Sequence, residues 1–533
     1  MEKIPNKIMV VTVTDYRNYP DSFWKPLLKK NCKNLIWFDL KKSYFNKGKN
    51  KTQETILKIV KMEKPDYLFM FDSLYYDLDI IDLMTRFEKL SPQTRKFLFS
   101  GDDDMRFNSV RYLALFFDYV IITQNDFIKN YKNDGLKNII FYISLISNKE
   151  VKISPEKKYD VSFVGTAKAD RNEIIEYLHK NGVKIALLGT NWENYPELKE
   201  VHVKDFLSKD YFKIIDQTRI NLCLSKNMMN IPHLKGKFFE VSERKAFCLV
   251  EYSPQLAELF KEGKEIIFFK TREELLKKID YYLKHEKERE KIAQNAYKKV
   301  KSNFDSEKEF KKIITETMKK NKTLKKFEIN PSVIDINKKN MGLPKEDIIK
   351  KIKDYNYVSF SKGKIQKSEF KDYLQVYSLQ KNKKEISCCD YYIYSKDLGN
   401  YAQFRYIPFG LDPKKEYKKF LNINQIVITK EFFIKNFEKI KKSYKTEIID
   451  FVNNENTAFI SIPLVSISEF RKDFFDDPEF SKELGLFLFS AQRELYSRRK
   501  NPLKFLKFLS ALIKETLSGK RFIFDQLKMK FQY

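Results

Sequence analysis

Glu240 ends the run K-F-F-E (Lys237 to Glu240), at the start of a short predicted helix that leads into the apolar strand A-F-C-L-V-E-Y. A carboxylate there can grip the hydroxyls of a ribose, and the lysine before it can meet a diphosphate. Upstream, D-V-S-F-V-G-T (Asp160 to Thr166) and V-K-I-A-L-L-G-T-N-W (Val183 to Trp192) each feed a β-forming run into a glycine, Gly165 and Gly189. The first is followed by a helix-period segment, Arg171 to Lys180, and strand, glycine turn and helix together make a phosphate-friendly unit, because glycine lets backbone approach a ligand with no Cβ in the way. I-N-L-C-L-S (Ile220 to Ser225) reads as a further buried strand. A second concentration of chemistry is the acidic triplet Asp102-Asp103-Asp104 in F-L-F-S-G-D-D-D-M-R-F. Three roles are open to it: binding or deprotonating a hydroxyl substrate, capping a helix over Arg106 to Phe116, or clamping a divalent cation against a diphosphate.

The first 145 or so residues alternate apolar strands with amphipathic helices. K-I-M-V-V-T-V, N-L-I-W-F-D-L, D-Y-L-F-M-F-D, R-K-F-L-F-S, D-Y-V-I-I-T and N-I-I-F-Y are the strand candidates. Such alternation predicts a parallel sheet covered on both faces. A second series runs from Tyr159 to about Phe269, after a mostly polar hinge over Ile146 to Lys158. The expected organisation is a first domain over 1–150, a second over 151–320, a linker over 321–345 and an α+β domain over 346–533 that ends in a basic helical tail. Ligands of open parallel sheets sit beyond the carboxyl ends of the strands. In the first domain those loops carry Asp15, Asp72 and the triplet.

The ordered series of strand with glycine turn, G-x-x-W, F-E, and then L-A-E-L-F-K-E-G-K-E-I-I-F-F-K-T-R-E-E-L-L-K-K-I-D-Y-Y-L with E-R-E-K-I-A-Q-N-A-Y-K-K-V, resembles the spore-maturation (CgeB-like) glycosyltransferases, related to the group 1 glycosyl transferases. The resemblance covers roughly a third of the chain and continues more weakly upstream. It implies an α/β fold of the GT-B type, two Rossmann-like domains facing a cleft, with the last helix of the second crossing back to the first. It also implies a metal-independent sugar transfer from a nucleotide-sugar donor, UDP- or GDP-linked, to a surface glycan or glycolipid, with no cofactor. Gly165, Thr166, Gly189, Trp192 and Glu240 would line the donor site, with Glu240 on the ribose, and His233, Lys237 and Lys245 are placed beside them as donor contacts. The family usually has a small residue, commonly glycine, where Lys245 stands. Asp102, Asp104 and Arg106 are the expected acceptor contacts. A base is needed only if the reaction inverts the anomeric centre, and Asp103 and Asp15 are its candidates. Glu243 and Glu251 have the E-x7-E spacing of many retaining enzymes, but Glu251 closes a strand, so the spacing is read as coincidental. The alternative reading of the whole is a catalytically inactive glycan-binding or scaffolding protein with the same shape.

Composition limits the remaining choices. The formal net charge of +30 attracts polyanions, yet the lysines are spread along every element and no nucleic-acid-binding motif accompanies them, so no nucleic acid is expected. The cysteines, Cys32, Cys223, Cys248, Cys388 and Cys389, have no C-x-x-C spacing, which argues for a reducing cytoplasm and no structural metal. Neither an apolar leader nor a membrane-spanning run is expected. From about Asp347 the chain becomes rich in Tyr, Phe and Lys and faintly resembles the acceptor half of a GT-A family-two-like enzyme, with Ser361-Lys362-Gly363 where metal-binding aspartates would stand. Residues 491–533 hold eleven Lys or Arg against three Asp or Glu. Within them Pro502 to Lys514 forms a basic amphipathic stretch, suited either to docking on protein or to peripheral contact with an anionic membrane at its inner face.

Overall fold

The computed structural model describes residues 4–12, 24–47, 49–71, 80–101, 103–142, 156–167, 170–189, 192–201, 211–226, 232–319, 332–363, 365–367, 370–395, 399–404, 423–446, 449, 451–452 and 455–467. Asp15, Asp102 and the basic stretch 502–514 lie outside them. Among the described residues no helix is long and apolar enough to cross a membrane.

Three sheets organise the chain. The first contains β1 (Ile4–Thr12), β2 (Cys32–Asp39), β3 (Tyr67–Phe71), β4 (Arg95–Ser100), β5 (Tyr119–Ile122) and β6 (Ile139–Phe141) in the order β2-β1-β3-β4-β5-β6, every pair parallel. All six match the apolar runs in the sequence. In β3, Y-L-F-M-F, every residue is buried, which is what helices on both faces of a parallel sheet demand. The second sheet contains β7 (Tyr159–Val164), β8 (Ile185–Leu188), β9 (Thr218–Cys223), β10 (Cys248–Glu251) and β11 (Ile267–Phe269) in the order β11-β10-β9-β7-β8, again all parallel.

These two Rossmann-like lobes meet at their carboxyl edges. In the segment after β5, the Asn125 amide donates to Glu258 at 3.2 Å and Asp126 accepts from Gln255 at 3.0 Å. Gln255 and Glu258 belong to helix Pro254–Leu259, which follows β10. The helix Ser306–Met318 ties the lobes from behind. Asp305 caps it, accepting from the N–H groups of Glu307 and Lys308 at 2.9 Å each. Its Phe310, Ile313 and Ile314 enter the first-lobe core beside Tyr67 and Phe69, and Lys30 pairs with Glu307 at 2.7 Å. The crossing helix implied by the resemblance is therefore present.

The third sheet is mixed. It contains β12 (Val333–Asn337), β13 (Tyr357–Ser361), β14 (Ile365–Lys367), β15 (Ile386–Ser395), β16 (Gly399–Phe404), β17 (Ile426–Thr429) and β18 (Thr457–Ile467) in the order β12-β13-β17-β15-β18-β14, with β16 on β15. β12 lies inside the stretch 321–345 that was expected as a linker. It pairs parallel with β13 in unbroken register from Val333↔Tyr357 to Asn337↔Ser361, and helix Lys338–Met341 follows it directly. Its buried side chains, Ile334 and Ile336, alternate with exposed polar ones, so this edge strand sits inside a mostly polar stretch that reads as linker.

Candidate functional site

In the second sheet the chain leaves β7 for β8 on one side and returns to β9 on the other, so the strand order reverses at β7. The crevice beyond the carboxyl ends of β7 and β9 is the topological switch point, where open α/β sheets take their ligands. Three connections deliver residues to it: Gly165-Thr166 after β7, Ser225-Lys226 after β9, and the helix Lys237–Glu243 between β9 and β10. Because that helix connects two parallel strands it runs back against them. Its first turn, with Lys237 and Glu240, therefore lies at the carboxyl edge, and its last residues lie at the opposite edge.

Lys237 and Glu240 are both half-buried. Burial lowers the Lys237 pKa, Glu240 opposes that shift by favouring the ammonium, and Cys223, Cys248 and Arg171 are the other groups whose charge it feels. Arg171 starts the helix Arg171–Lys180, is 6% exposed, and donates from its terminal nitrogens to the carbonyls of Thr166 at 3.0 Å and Leu224 at 3.5 Å. Its Nε has no acceptor among the described residues. A buried guanidinium donor left in that state favours a nearby anion. Beside it the Lys226 ammonium joins Asp170 to Glu251, 2.9 Å from the latter. Burial alone would lower the Lys226 pKa, and the hydrogen bonds and negative charges of Asp170 and Glu251 together more than reverse that.

Glu251 is 3% exposed and accepts from the backbone N–H groups of Ser225 at 2.8 Å and Lys226 at 3.2 Å. It is the last residue of β10 and fixes the loop after β9, in keeping with its E-x7-E spacing from Glu243 being coincidental. His233 is not solvated in its Lys-rich loop. It is 4% exposed, with Nε2 2.6 Å from the Lys235 ammonium.

Gly165, Gly189 and Trp192 form one unit. The Trp192 indole N–H donates to the Gly165 carbonyl at 2.7 Å, and the indole is 1% exposed over the edge of Phe163. A Cβ on Gly189, whose φ is +133°, would lie 2.1 Å from the Gly165 oxygen. The glycine at 189 is thus required by the neighbouring turn, and Trp192 anchors that turn from inside the core.

Lys245 stands apart from Lys237 and Glu240. It lies beyond the far end of helix Lys237–Glu243, about 12 Å along the axis from Lys237 at 1.5 Å per residue. It is exposed, with its ammonium 4.9 Å from the centre of the Tyr297 ring. Its φ of +54° is the left-handed conformation that glycine adopts most cheaply after a helix.

In the first lobe β4 delivers Asp103 as the first residue of helix Asp103–Leu113, so the helix begins three residues before the expected Arg106. Asp103 is fully buried, and its Oδ1 accepts from the hydroxyls of Ser100 at 2.6 Å and Tyr131 at 2.7 Å. Enclosed in this way, the Asp103 carboxylate holds the start of the helix. Asp104 and Arg106 lie in the first turn of that helix, at the carboxyl edge of the first sheet.

Arg171, Asp170, Lys226 and Glu251 were not among the expected site residues. Arg171 carried a sequence signal, as a basic residue opening the helix that follows a glycine turn.

Comparison with known proteins bears on the same lobe. Residues 171–315 match the family described as glycosyl transferase-like. This glycosyl transferase-like segment starts at Arg171, includes Lys226, Lys237, Glu240 and Glu251, and ends in the crossing helix. No curated protein sequence matches the chain. Among solved structures, Anabaena Alr3699/HepE in complex with UDP and glucose is similar over 59% of this chain and 99% of its own, at 13% identity and a TM-score of 0.42. The lipopolysaccharide outer core galactosyltransferase WaaB in its apo form is similar over 58% and 99%, at 13% identity and 0.39. A putative UDP-N-acetylglucosamine 2-epimerase from Listeria monocytogenes is similar over 61% and 100%, at 10% identity and 0.41.

Proposed function

We propose that the chain is a glycosyltransferase that takes a nucleotide-sugar, UDP- or GDP-linked, at the second-lobe switch point and passes the sugar to a glycan or glycolipid acceptor held by the first lobe. The observation that carries this reading is the convergence of Lys237, Glu240, Arg171 and Lys226 on one carboxyl edge inside the glycosyl transferase-like segment. In this reading Glu240 accepts from the ribose hydroxyls. Lys237 faces the diphosphate, with the buried Arg171 and the half-buried Lys226 at the same edge.

Departure of a nucleoside diphosphate builds negative charge on the leaving oxygen. Cations fixed in a partly desolvated crevice stabilise that charge with little reorganisation, the role a divalent ion plays elsewhere. With Asp103 enclosed, Asp15 remains the candidate base for an inverting reaction. The acceptor enters between the lobes beside the helix that begins at Asp103. Peripheral contact of residues 502–514 with an anionic membrane at the cytoplasmic face would suit a lipid-linked acceptor.

Thermal shift and hydrolysis across UDP-, GDP-, CMP- and dTDP-sugars test the proposal. Selective stabilisation by one nucleotide class together with slow hydrolysis supports it. Stabilisation without turnover, even with glycan acceptors added, marks a binding or scaffolding protein, and no stabilisation by any of them refutes the donor site.

A further inference from the structure

The third domain is built into the first lobe. Helix Lys371–Asn382 lies against it so that Leu374, and Cys389 from β15, belong to the same apolar core as Met9, Leu68 and Phe116. Phe370 stands edge-on to Phe116 at 5.3 Å. Polar contacts pin the same face. The Tyr112 and Ser378 hydroxyls are 2.8 Å apart, both buried, and the Asn382 amide donates to Tyr112 at 3.4 Å. The Tyr377 hydroxyl donates to the backbone carbonyl of Asp134, whose carboxylate pairs with Arg111.

These contacts converge on one element of the first lobe. Arg111 and Tyr112 form the last turn of helix Asp103–Leu113, about 14 Å from its start at 1.5 Å per residue. At that start Asp103 is held by Ser100 and by Tyr131, and Tyr131 and Asp134 stand at the end of one short helix, Ile128–Asn133. β18 also packs beside helix Asp103–Leu113. Helix Lys371–Asn382 therefore grips both the far end of helix Asp103–Leu113 and the segment that fixes its near end.

We infer that the third domain is a fixed part of the acceptor-side wall, and that Tyr377 and Ser378 are positioning residues that hold helix Asp103–Leu113, with Asp104 and Arg106 in its first turn, in register with the donor lobe. The inference rests on the transferase reading and adds a role for the third domain within it. Packing makes the helix stiff, and the hydroxyl pairs select one position among those that apolar contact alone would allow.

The test uses the full chain with the double substitution Tyr377→Phe and Ser378→Ala, which removes both hydroxyl links and carves little volume. Amide hydrogen exchange is followed together with UDP affinity and the kinetics of UDP-sugar hydrolysis. The expected result is faster exchange across residues 103–113 with second-lobe amides unchanged, a severalfold fall in kcat, and unchanged UDP affinity and KM for the donor. Exchange that rises only within residues 371–395, or kcat that stays at the wild-type level, would overturn the inference. Faster exchange spread evenly over all three sheets would overturn it too, since that is plain loss of stability. Failure of the wild-type chain to bind any nucleotide would sink the transferase reading and the catalytic half of the inference, while the exchange result still decides the docking half.

Discussion

Trp192 donates its indole N–H to the carbonyl oxygen of Gly165, 2.7 Å away, so the turn that ends β7 is held from inside the core. Trp192→Phe keeps an aromatic ring in the cavity but removes that donor. The expected cost is on the order of 1 kcal/mol in stability, with a comparable, about fivefold, loss of nucleotide affinity because the turn beside the crevice loosens. Urea unfolding and a UDP titration measure the two effects. A large loss of stability with affinity unchanged would mean that Trp192 does no more than fill space.

Gly189 lies against the same carbonyl. An alanine there would set its Cβ 2.1 Å from backbone that cannot swing away, at a φ of +133°. Strain and overpacking together predict a loss of about 2–5 kcal/mol for Gly189→Ala. Gly182→Ala is a useful control, since its Cβ meets nothing within 4 Å and only the positive φ of +78° opposes it. Thermal unfolding should rank Gly189→Ala well below Gly182→Ala.

Asp103 serves the fold, so its two substitutions should separate. Asp103→Ala leaves the buried Ser100 and Tyr131 hydroxyls without their acceptor and should cost about 2–4 kcal/mol. Asp103→Asn retains an accepting oxygen and should leave kcat within an order of magnitude of wild type, whereas loss of a general base costs about 10²–10⁴-fold. A collapse of kcat in a well-folded Asp103→Asn variant would restore the catalytic role.

The crossing helix carries a pH-dependent contact. The hydrogen bond from Lys30 holds the Glu307 pKa below its ordinary 4.5, with burial opposing and Lys311 adding to the effect. A carboxylate with a depressed folded-state pKa adds stability that is fully present above its unfolded pKa and is lost as pH falls through the folded one. Glu307→Gln should therefore be less stable than wild type at neutral pH, by about 1 kcal/mol or less because Lys30 is largely exposed. The difference should shrink as pH falls from about 4.5. Denaturant unfolding across that range checks it, and a gap that persists unchanged at pH 3 would contradict the ion-pair origin.

The two parallel sheets were legible because strands buried on both faces must be short apolar runs, and L-F-M-F or Y-V-I-I between polar helices admits little else. β12 was not. As an edge strand it buries only Ile334 and Ile336, and V-I-D-I-N within a Lys- and Asn-rich stretch carries too little apolar signal. Site residues divided in a similar way. Lys237 and Glu240 could be placed at the start of a helix from sequence, and the parallel connection then fixed their edge. Lys245 is only a few residues away in sequence, but the helix between them carries it to the opposite edge. Burial decided the rest: composition shows that Asp103 and Trp192 can do chemistry, and only packing shows that both face inward. The grip of Tyr377 and Ser378 on the first lobe joins segments some 240–270 residues apart, as the Tyr112–Ser378 and Asp134–Tyr377 separations of 266 and 243 show, and no local pattern announces it.

The most direct measurement of the central claim is calorimetric titration of UDP and GDP into the wild-type chain and into Glu240→Ala. The account predicts saturable binding of one nucleotide to the wild type and at least about tenfold weaker binding to Glu240→Ala, the loss of a charge-assisted hydrogen bond of about 1.5–3 kcal/mol, with the same unfolding midpoint. Equal affinity in the two proteins, or no binding to either, would contradict it.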